Sequence, residues 1–251
     1  MAQTKIIGGG APGSASVLAS GVEQAVDPLY LAARMAIRPL DYTVAGGGVL
    51  GHYAVAQTSG SIAATPTALD VHASIRWAPT ITNTYLVLMR LKLGYGVVSA
   101  VTTAVRMAYQ ASIARQFTVD FTTATTAINL ATTAKTNQMR GSMSGSQMGA
   151  NGPRICTTAP QTGQTYTLDA APFALTNWEA LHSVSGTGTA VLLNAGSAGP
   201  TQTIYEWTGQ GQHPVVLSSN EGVVVQLVHT GHGSGTLSLY TTWEWAEVQV
   251  F

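Results

Sequence analysis

The clearest pattern in this chain is an alternation of apolar and polar residues in its C-terminal part, residues 213–251. Strict alternation places successive side chains on opposite faces of a β-strand. In the run from Thr236 to Val250, one face holds Leu237, Leu239, Thr241, Trp243 and Trp245, and the other holds Ser238, Tyr240, Thr242 and Glu244. Two shorter apolar runs, 214–217 and 223–228, lie on either side of the polar turn 218–222. The segment therefore predicts strands joined by turns, either as a β-meander or as one end of a β-sandwich.

Other segments of the chain also have the spacing of short strands. Residues 71–77 alternate, and residues 85–93 are apolar on both faces apart from Arg90 and Lys92, as in a strand between two layers. Further short strands are predicted at 164–168, 189–194 and 201–207. Short strands at this spacing, with few helices, predict a mainly β protein: an antiparallel β-sandwich with a jelly-roll-like fold.

The segment from Val105 to Phe121 alternates over a length that is unusual for one strand. The residues predicted to share its apolar face are Met107, Tyr109, Ile113, Phe117 and Val119. That face is interrupted near Arg115, where we expect a bulge or a bend. A helix over residues 97–114 is the competing interpretation, because the apolar positions there also fit helical spacing. The β-branched residues favour the strand.

Two stretches lack the pattern of a packed strand. Residues 1–26 are rich in Gly, Ala and Ser and predict a flexible N-terminal arm, which leaves residues 27–251 for the β-sandwich domain or domains. Residues 27–40 could form a short helix capped by Asp27, or could be extended. Residues 136–163 are polar and rich in Gly, Ser and Met, so they predict a long surface loop or an arm that orders on a partner.

Composition adds that this β protein carries very few charges. Charged residues make up 9% of the 251 residues, against about 25% in ordinary soluble domains, and the net charge is zero. Either Thr, Ser, Gln and Asn solvate the surface, or other subunits cover much of it, because obligate interfaces are poor in charge. Nothing basic indicates a nucleic acid partner, and no apolar run is long enough to predict a membrane partner.

The motifs that could bind a cofactor or a metal are weak. Gly8, Gly10 and Gly13 satisfy the dinucleotide-binding spacing G-x-G-x-x-G, but no βαβ unit surrounds them, so we interpret them as part of the arm. His229 and His232 could offer imidazoles, yet structural zinc sites use more ligands, usually with Cys, and no second pair exists. A trimer could still gather one such histidine from each subunit on its axis. We predict no cofactor and no metal.

The acidic residues and the single cysteine do not form a catalytic group in the sequence. Glu244 and Glu247 have an odd spacing that points them to opposite faces of a strand, so we predict solvated side chains rather than a glycosidase pair. Cys156 has no neighbouring His and cannot form an intramolecular disulfide. Trp243 and Trp245 predict core packing rather than a sugar-stacking platform. We therefore predict that the protein is not an enzyme.

The C-terminal segment also resembles a known class of proteins. Asn220-Glu221-Gly222 forms an NEG turn between two apolar strands, and Trp245-Ala246-Glu247-Val248 lies in the closing strand. In these positions the segment resembles the C-terminal strands of virion structural proteins of tailed bacteriophages. Upstream of residue 213 the resemblance is one of composition only. It implies a particle component without catalytic residues: a capsid decoration (cement) or minor head protein, or else a tail or head-fibre protein that contacts the host.

The resemblance implies that the partners are other copies of the chain, as a homo-oligomer such as a trimer, and other virion proteins such as the major capsid protein. The protein would then be located in the virion, which assembles in the host cytoplasm. We expect contacts through the N-terminal arm and the 136–163 stretch, because flexible segments and Met thioethers adapt to irregular surfaces. The candidate interface residues are Ile6, Ile7, Tyr30, Met139, Met143 and Met148. A carbohydrate-binding β-sandwich and a hydrolase are the alternatives from other classes.

Overall fold

The computed structural model describes residues 16–17, 23–26, 33–34, 51–63, 67–99, 105–130, 145–176, 180–182, 201–208, 213–229 and 235–248. All helical or strand structure in these residues is β-strand, which confirms the predicted mainly β class. The chain divides into two units, residues 1–41 and 42–251. In the first unit, β1 (Ser16–Val17), β2 (Glu23–Val26) and β3 (Ala33–Arg34) form an antiparallel sheet in that order. β1 and β2 thus lie within the segment predicted as an arm.

The second unit consists mainly of two antiparallel sheets packed against each other, which is the predicted β-sandwich. Its strands are β4 (Gly51–Thr58), β5 (Ile62–Ala63), β6 (Val71–Trp77), β7 (Tyr85–Ser99), β8 (Val105–Met107), β9 (Tyr109–Val119), β10 (Thr125–Ala127), β11 (Arg154–Cys156), β12 (Thr165–Leu168), β13 (Ala174–Leu175), β14 (Ala180–His182), β15 (Gln202–Glu206), β16 (Val215–Leu217), β17 (Glu221–Leu227) and β18 (Thr236–Val248). The six-stranded sheet has the order β15-β7-β18-β4, with β16 beside β7 and β5 beside β18. The seven-stranded sheet has the order β10-β11-β6-β17-β9-β12, with β13 beside β9, and β8 pairs with β14.

The principal strands of the sandwich pair in a nested order. β4 pairs with β18, β6 with β17, β7 with β15, and β9 with β12. Among these strands, the first along the chain therefore pairs with the last, the second with the next to last, and so on inward. Such nesting is what results when a ribbon of antiparallel strands is wound into two sheets, as in a jelly roll.

The C-terminal segment crosses between the two sheets. β16 and β18 lie in the six-stranded sheet, whereas β17, which is between them in sequence, lies in the seven-stranded sheet. Of the two predicted arrangements, the sandwich is therefore confirmed and the single-sheet meander is wrong. The alternation predicted for β18 is confirmed, because all five residues assigned to its inner face are buried.

Apolar side chains from both sheets form the main core. Trp77 of the seven-stranded sheet and Trp243 and Trp245 of the six-stranded sheet are fully buried there. Tyr53 stacks on Trp245 with 5.5 Å between ring centroids, and Trp77 Nε1 donates a hydrogen bond to the Thr84 carbonyl at 2.9 Å. Large aromatic side chains dominate core energetics, and each fully buried one stabilises the fold by roughly 1.5–3 kcal/mol. The prediction that Trp243 and Trp245 are core residues is confirmed.

A second apolar cluster lies on the outer face of the seven-stranded sheet. Its buried members are Val71, Ala114, Phe117, Phe121 and Val224, with Tyr166 and Leu168 packed against them. Val224 alternates with Val223 and Val225, which belong to the main core, so the two clusters are on opposite faces of the sheet. The seven-stranded sheet therefore buries apolar side chains on both of its faces.

β9 contributes to both clusters, and it carries the irregularity that was predicted near Arg115. The strand interpretation is confirmed, and a shift of pairing with β12 lies directly after Arg115, where Gln116 has a positive φ of 52°. β9 advances four residues from Arg115 to Val119 while β12 advances two, from Thr167 to Thr165, so β9 holds two extra residues here and its alternation is interrupted. Phe117 accordingly packs in the outer cluster and Val119 is 45% exposed. The prediction that both share the face of Tyr109 is wrong for this reason.

The described part of the stretch predicted as a surface loop, residues 145–163, is anchored in the sandwich. β11 lies inside the seven-stranded sheet, between β10 and β6. Ile155 belongs to the main core, and a Cβ added to Gly152 would collide with the Ile128 carbonyl oxygen. The structure differs from the expectation because a strand of three residues is too short to show an alternating pattern, while its neighbours on both sides satisfy its backbone groups.

Candidate functional sites

Of the six residues predicted to contact other subunits, only Met148 lies in the described part of the chain. Its side chain is 2% exposed and packs in the main core. Met148 therefore serves the internal packing of the chain, because the turn that carries it folds back onto the sandwich. Outside the described residues are Ile6, Ile7, Tyr30, Met139 and Met143.

Glu247 fixes that turn to the end of β18. Its carboxylate is 3% exposed, and Oε1 accepts hydrogen bonds from Ser146 Oγ at 2.5 Å and from Trp245 Nε1 at 3.0 Å. Oε2 accepts one from the Gln147 backbone N–H at 2.8 Å. Burial raises the pKa of Glu247 above its ordinary value, although the three hydrogen bonds favour the ionised form. The prediction that Glu247 is solvated is wrong, because the 145–148 turn covers it.

Glu244 is engaged with an arginine on the outer face of the six-stranded sheet. Arg90 lies opposite Glu244, and its Nη2 is 2.8 and 2.7 Å from the two carboxylate oxygens. Glu206 of β15 adds a second carboxylate, 3.6 Å from Arg90 Nη1. Burial lowers the pKa of His52 on β4, and the charge of Glu244 opposes this effect. Since Glu244 and Glu247 bind different partners, they do not form a catalytic pair.

The NEG turn, which carries the resemblance to phage virion proteins, connects three strands. Asn220 has a left-handed backbone with φ of 62°, which Asn tolerates better than most residues. Its N–H donates to the Trp77 carbonyl at 2.8 Å, and its own carbonyl accepts from the Phe117 N–H at 2.7 Å. The turn therefore ties β17 to β6 and β9 at one end of the seven-stranded sheet.

Glu221 joins the same turn to the bulge in β9. Its carboxylate accepts hydrogen bonds from the Ser218 N–H at 2.8 Å and from the Arg115 guanidinium. Arg115 also holds Asp169 through two contacts of 3.1 Å. Burial alone would raise the pKa of Glu221, but the hydrogen bonds from Ser218 and Arg115 outweigh burial, so its pKa lies below the ordinary value. The stability that Glu221 contributes is therefore present at neutral pH and lost in acid.

Gly222→Ala is expected to lower the free energy of unfolding by about 1–3 kcal/mol. An added Cβ would lie against the Ile75 carbonyl oxygen and 2.6 Å from Phe117 Cδ1, so the backbone has to move. The matched control is Asn220→Gly, which keeps the left-handed backbone and is expected to change stability by less than about 0.5 kcal/mol. Urea unfolding of the variants measures both values, and equal losses would show that the close approach at Gly222 is not what the turn requires.

His72 places an imidazole in the interior of the described structure. The side chain is fully buried, with Nδ1 3.1 Å from the Tyr109 hydroxyl oxygen, and Nε2 has no hydrogen-bond partner among the residues that the structure describes. Burial lowers the pKa of His72 to about 4, and Asp70 opposes the shift, so the ring is neutral at pH 7. Burial likewise raises the pKa of the Cys156 thiol to about 12. A thiol with that pKa is not a nucleophile at neutral pH.

Two arginines share one aspartate on the outer face of the seven-stranded sheet; we call these residues the arginine cluster. Arg76 of β6 donates from Nη1 to the carbonyls of Phe117 and Thr118, at 3.1 and 2.8 Å. Asp120 Oδ2 lies 3.6 Å from Arg76 Nε, and Asp120 Oδ1 lies 3.0 Å from Arg154 Nε. All three charged side chains are largely buried.

The described residues contain no group of three or more His, Cys, Asp or Glu side chains that could hold a metal ion. His229 and His213 are exposed, and His232 lies outside the described residues. Within the same ranges, no helix is long and apolar enough to cross a membrane. A metal site shared between subunits stays an untested alternative.

Sequence reasoning missed the buried polar groups. Arg76 occupies a position of an alternating strand that normally faces solvent, so the pattern assigned it to the surface. Glu247 continues the inner face of β18 after Trp243 and Trp245, and this parity was a signal that it is buried. His72 gave no such signal, because it alternates with the apolar residues of β6 in the same way as Ser74 and Arg76. The partners that bury these groups come from segments distant in sequence, which no local pattern reports.

The sequence matches no protein-family model and no curated protein. The function has to be inferred from the architecture, from the contacts of the polar side chains and from the resemblance of the C-terminal segment.

Proposed function

We propose that this protein is a structural component of a tailed-bacteriophage virion, namely a capsid decoration (cement) or minor head protein that stabilises the particle through subunit contacts. The observation that carries the proposal is the nested strand pairing, which includes the C-terminal segment that resembles phage virion proteins. Nested pairing is typical of the jelly roll, an architecture of viral capsid domains. Lectins and cupins share this architecture, so the side chains have to discriminate between these classes.

The side chains support a structural role, because groups that could do chemistry hold the fold together instead. Glu247 anchors the 145–148 turn, and Glu244 neutralises Arg90. Burial keeps the His72 ring neutral and the Cys156 thiol protonated at pH 7. In an active site such groups converge on a cleft within reach of a substrate. Here they lie apart, in the core or in ion pairs.

The exposed surface supports contacts with other protein subunits. The exposed large apolar side chains are Leu69, Ile81, Val98, Val119, Leu175 and Tyr240. Arg90 and Arg115 are neutralised by carboxylates of the same chain, so they add little net charge for a partner to meet. Apolar and uncharged polar groups are typical of the centre of subunit interfaces. The proposed partners are other copies of the chain, such as a trimer, and the major capsid protein.

Quantitative mass spectrometry of gradient-purified particles is expected to find this protein in a fixed ratio to the major capsid protein. Deleting its gene is expected to give particles that lose their DNA at a lower temperature, because a decoration protein adds contacts between capsid subunits. Complementation with the wild-type gene is the control and is expected to restore the release temperature. Absence of the protein from purified particles would exclude the proposal.

A tail or head-fibre protein is the second candidate, because the resemblance covers that class too. Immunogold labelling of the same particles distinguishes the two: label on the head supports decoration, and label on the tail or on fibres supports host contact. The burial of Trp77, Trp243 and Trp245 argues against a carbohydrate-binding module, because these rings cannot stack on a sugar. Tyr240 is an exposed aromatic ring. A glycan array without hits would remove that candidate.

A further inference from the structure

We propose that the arginine cluster is an oxyanion-binding site, and that a carboxylate of a neighbouring protein subunit fills it. The identity of the ligand's source rests on the proposed function, whereas the site itself follows from charges and donors within the chain.

The arginine cluster has the opposite charge balance from the other two arginine groups. Arg90 faces two carboxylates, Glu206 and Glu244, and Arg115 also faces two, Asp169 and Glu221. In the arginine cluster two guanidinium groups face a single carboxylate, that of Asp120. Among the described arginine side chains, this is where positive charge is in excess.

The excess charge also lies where it is most costly. Side-chain exposure in the arginine cluster is 12% for Arg76, 12% for Asp120 and 16% for Arg154, whereas Arg90 and Arg115 are 32% and 43% exposed. Burying an unbalanced charge is unfavourable because little water is left to solvate it. An additional anion would restore the balance of charge at this position.

The arginine cluster also has hydrogen-bond donors to spare. Arg154 can donate five N–H groups. Among the described residues, its side chain makes one polar contact, between Nε and the Asp120 carboxylate. The Nε atoms of Arg76 and Arg154 are buried and make no well-directed hydrogen bond to any group in the described part of the chain. Donors of guanidinium groups match the two oxygens of a carboxylate.

The two arginines are placed so that one ligand can reach both. Arg154 pairs with Ser74, and Arg76 follows two positions later on the same strand, so both side chains lie on the outer face of the sheet. The carbonyls of Phe117 and Thr118 bind Arg76, and Asp120 binds Arg154. An acidic side chain of another subunit could approach from the outer face, where the proposed contacts between subunits would form.

Thermal unfolding of the isolated chain tests the site with two probes, inorganic phosphate and acetate, each replacing chloride at constant ionic strength. The melting temperature of the wild type is expected to rise saturably, by roughly 3–5 °C at ten times the dissociation constant. Arg154→Gln is expected to lose this saturable rise, and Arg154→Lys to keep part of it. Arg115→Gln is the matched control and is expected to respond like the wild type. Phosphate also stabilises proteins by exclusion from their surface, but that effect is common to all variants.

Two results with the isolated chain would overturn the proposal. Equal responses of the wild type and Arg154→Gln would show that no oxyanion site exists. A loss of stability in chloride for Arg154→Gln as large as that for Arg115→Gln would show that the chain supplies its own counter-anion. The proposal expects Arg154→Gln to be neutral or slightly stabilising in chloride, since it removes an unbalanced buried charge.

Binding to particles that lack the protein tests the source of the carboxylate. Arg154→Gln is expected to bind such particles at least tenfold more weakly than the wild type, and Arg115→Gln is expected to bind them normally. Equal binding of the wild type and Arg154→Gln, together with a phosphate response of the wild type, would overturn the subunit carboxylate in favour of a free oxyanion. If even the wild type does not bind particles, the proposed function is wrong. The phosphate and acetate measurements on the isolated chain still decide whether the oxyanion site exists.

Discussion

Glu247→Ala is expected to lower the free energy of unfolding by about 3–4 kcal/mol, which corresponds to a fall of roughly 10 °C in melting temperature. The carboxylate accepts hydrogen bonds from the Ser146 hydroxyl, the Trp245 indole and the Gln147 backbone. Removing it leaves these donors without their acceptor at a position where Glu247 is 3% exposed, and each buried unsatisfied donor costs about 1–3 kcal/mol. Urea unfolding at pH 7 measures the loss.

The matched control for Glu247→Ala is Glu244→Ala on the same strand. Glu244 pairs with Arg90, which is 32% exposed, so its loss is expected to cost less than about 1 kcal/mol. Hydrogen exchange adds a local measurement: the amide of Gln147 is expected to exchange faster in Glu247→Ala and to be unchanged in Glu244→Ala. If both variants lost the same stability, the buried carboxylate would not be the anchor of the turn.

The inner faces of β6 and β18 could be predicted from the sequence. In β6 and β18 the inner residues enter the main core, so burial selects apolar side chains at every second position. The turn at 218–222 could also be predicted, because Asn220 and Gly222 occupy positions with specific requirements for backbone conformation and space. These local requirements are legible without knowledge of the neighbouring strands.

The consequences of the bulge could not be predicted, although its position could. An arginine in an apolar face indicates an irregularity near Arg115, but not how many residues it inserts. The bulge adds two residues to β9 relative to β12 between Arg115 and Val119, and the alternation is lost within it, so Phe117 enters the outer cluster and Val119 is exposed. The outer cluster therefore appears only when the strand pairing is known.

The buried polar groups depend on contacts between distant parts of the chain. An Arg at a polar position of an alternating strand indicates a solvent-facing side chain, and a Glu on the inner face, such as Glu247, gives no indication of the groups that bind it. Glu247 is buried because the 145–148 turn covers it, and Arg154 meets Asp120 because β11 enters the sheet. The sequence specifies both contacts, but through the whole fold rather than through a local pattern.

Acidification is expected to destabilise the chain through His72 by about 3 kcal/mol. Burial holds the pKa of this ring at about 4 in the folded state, against 6.5 in the unfolded chain. Because the folded pKa is the lower one, its contribution is fully present above pH 6.5. The contribution falls progressively as the pH drops from about 6.5 through 4, since the unfolded chain binds the proton more readily.

The variant His72→Gln isolates this contribution from other groups that titrate in acid. Its unfolding free energy is expected to depend less on pH between about 6.5 and 4 than that of the wild type, with a difference of about 3 kcal/mol over the window. The groups that surround the ring, Asp70 and Tyr109, are unchanged in this variant. His52 and Glu221 are unchanged too, and their lowered pKa values also make the fold less stable in acid. His229→Gln removes an exposed histidine and is the matched control. Urea unfolding at pH 7.5, 5.5 and 4.5 measures the three proteins, and a pH dependence in His72→Gln as steep as in the wild type would contradict the buried neutral ring.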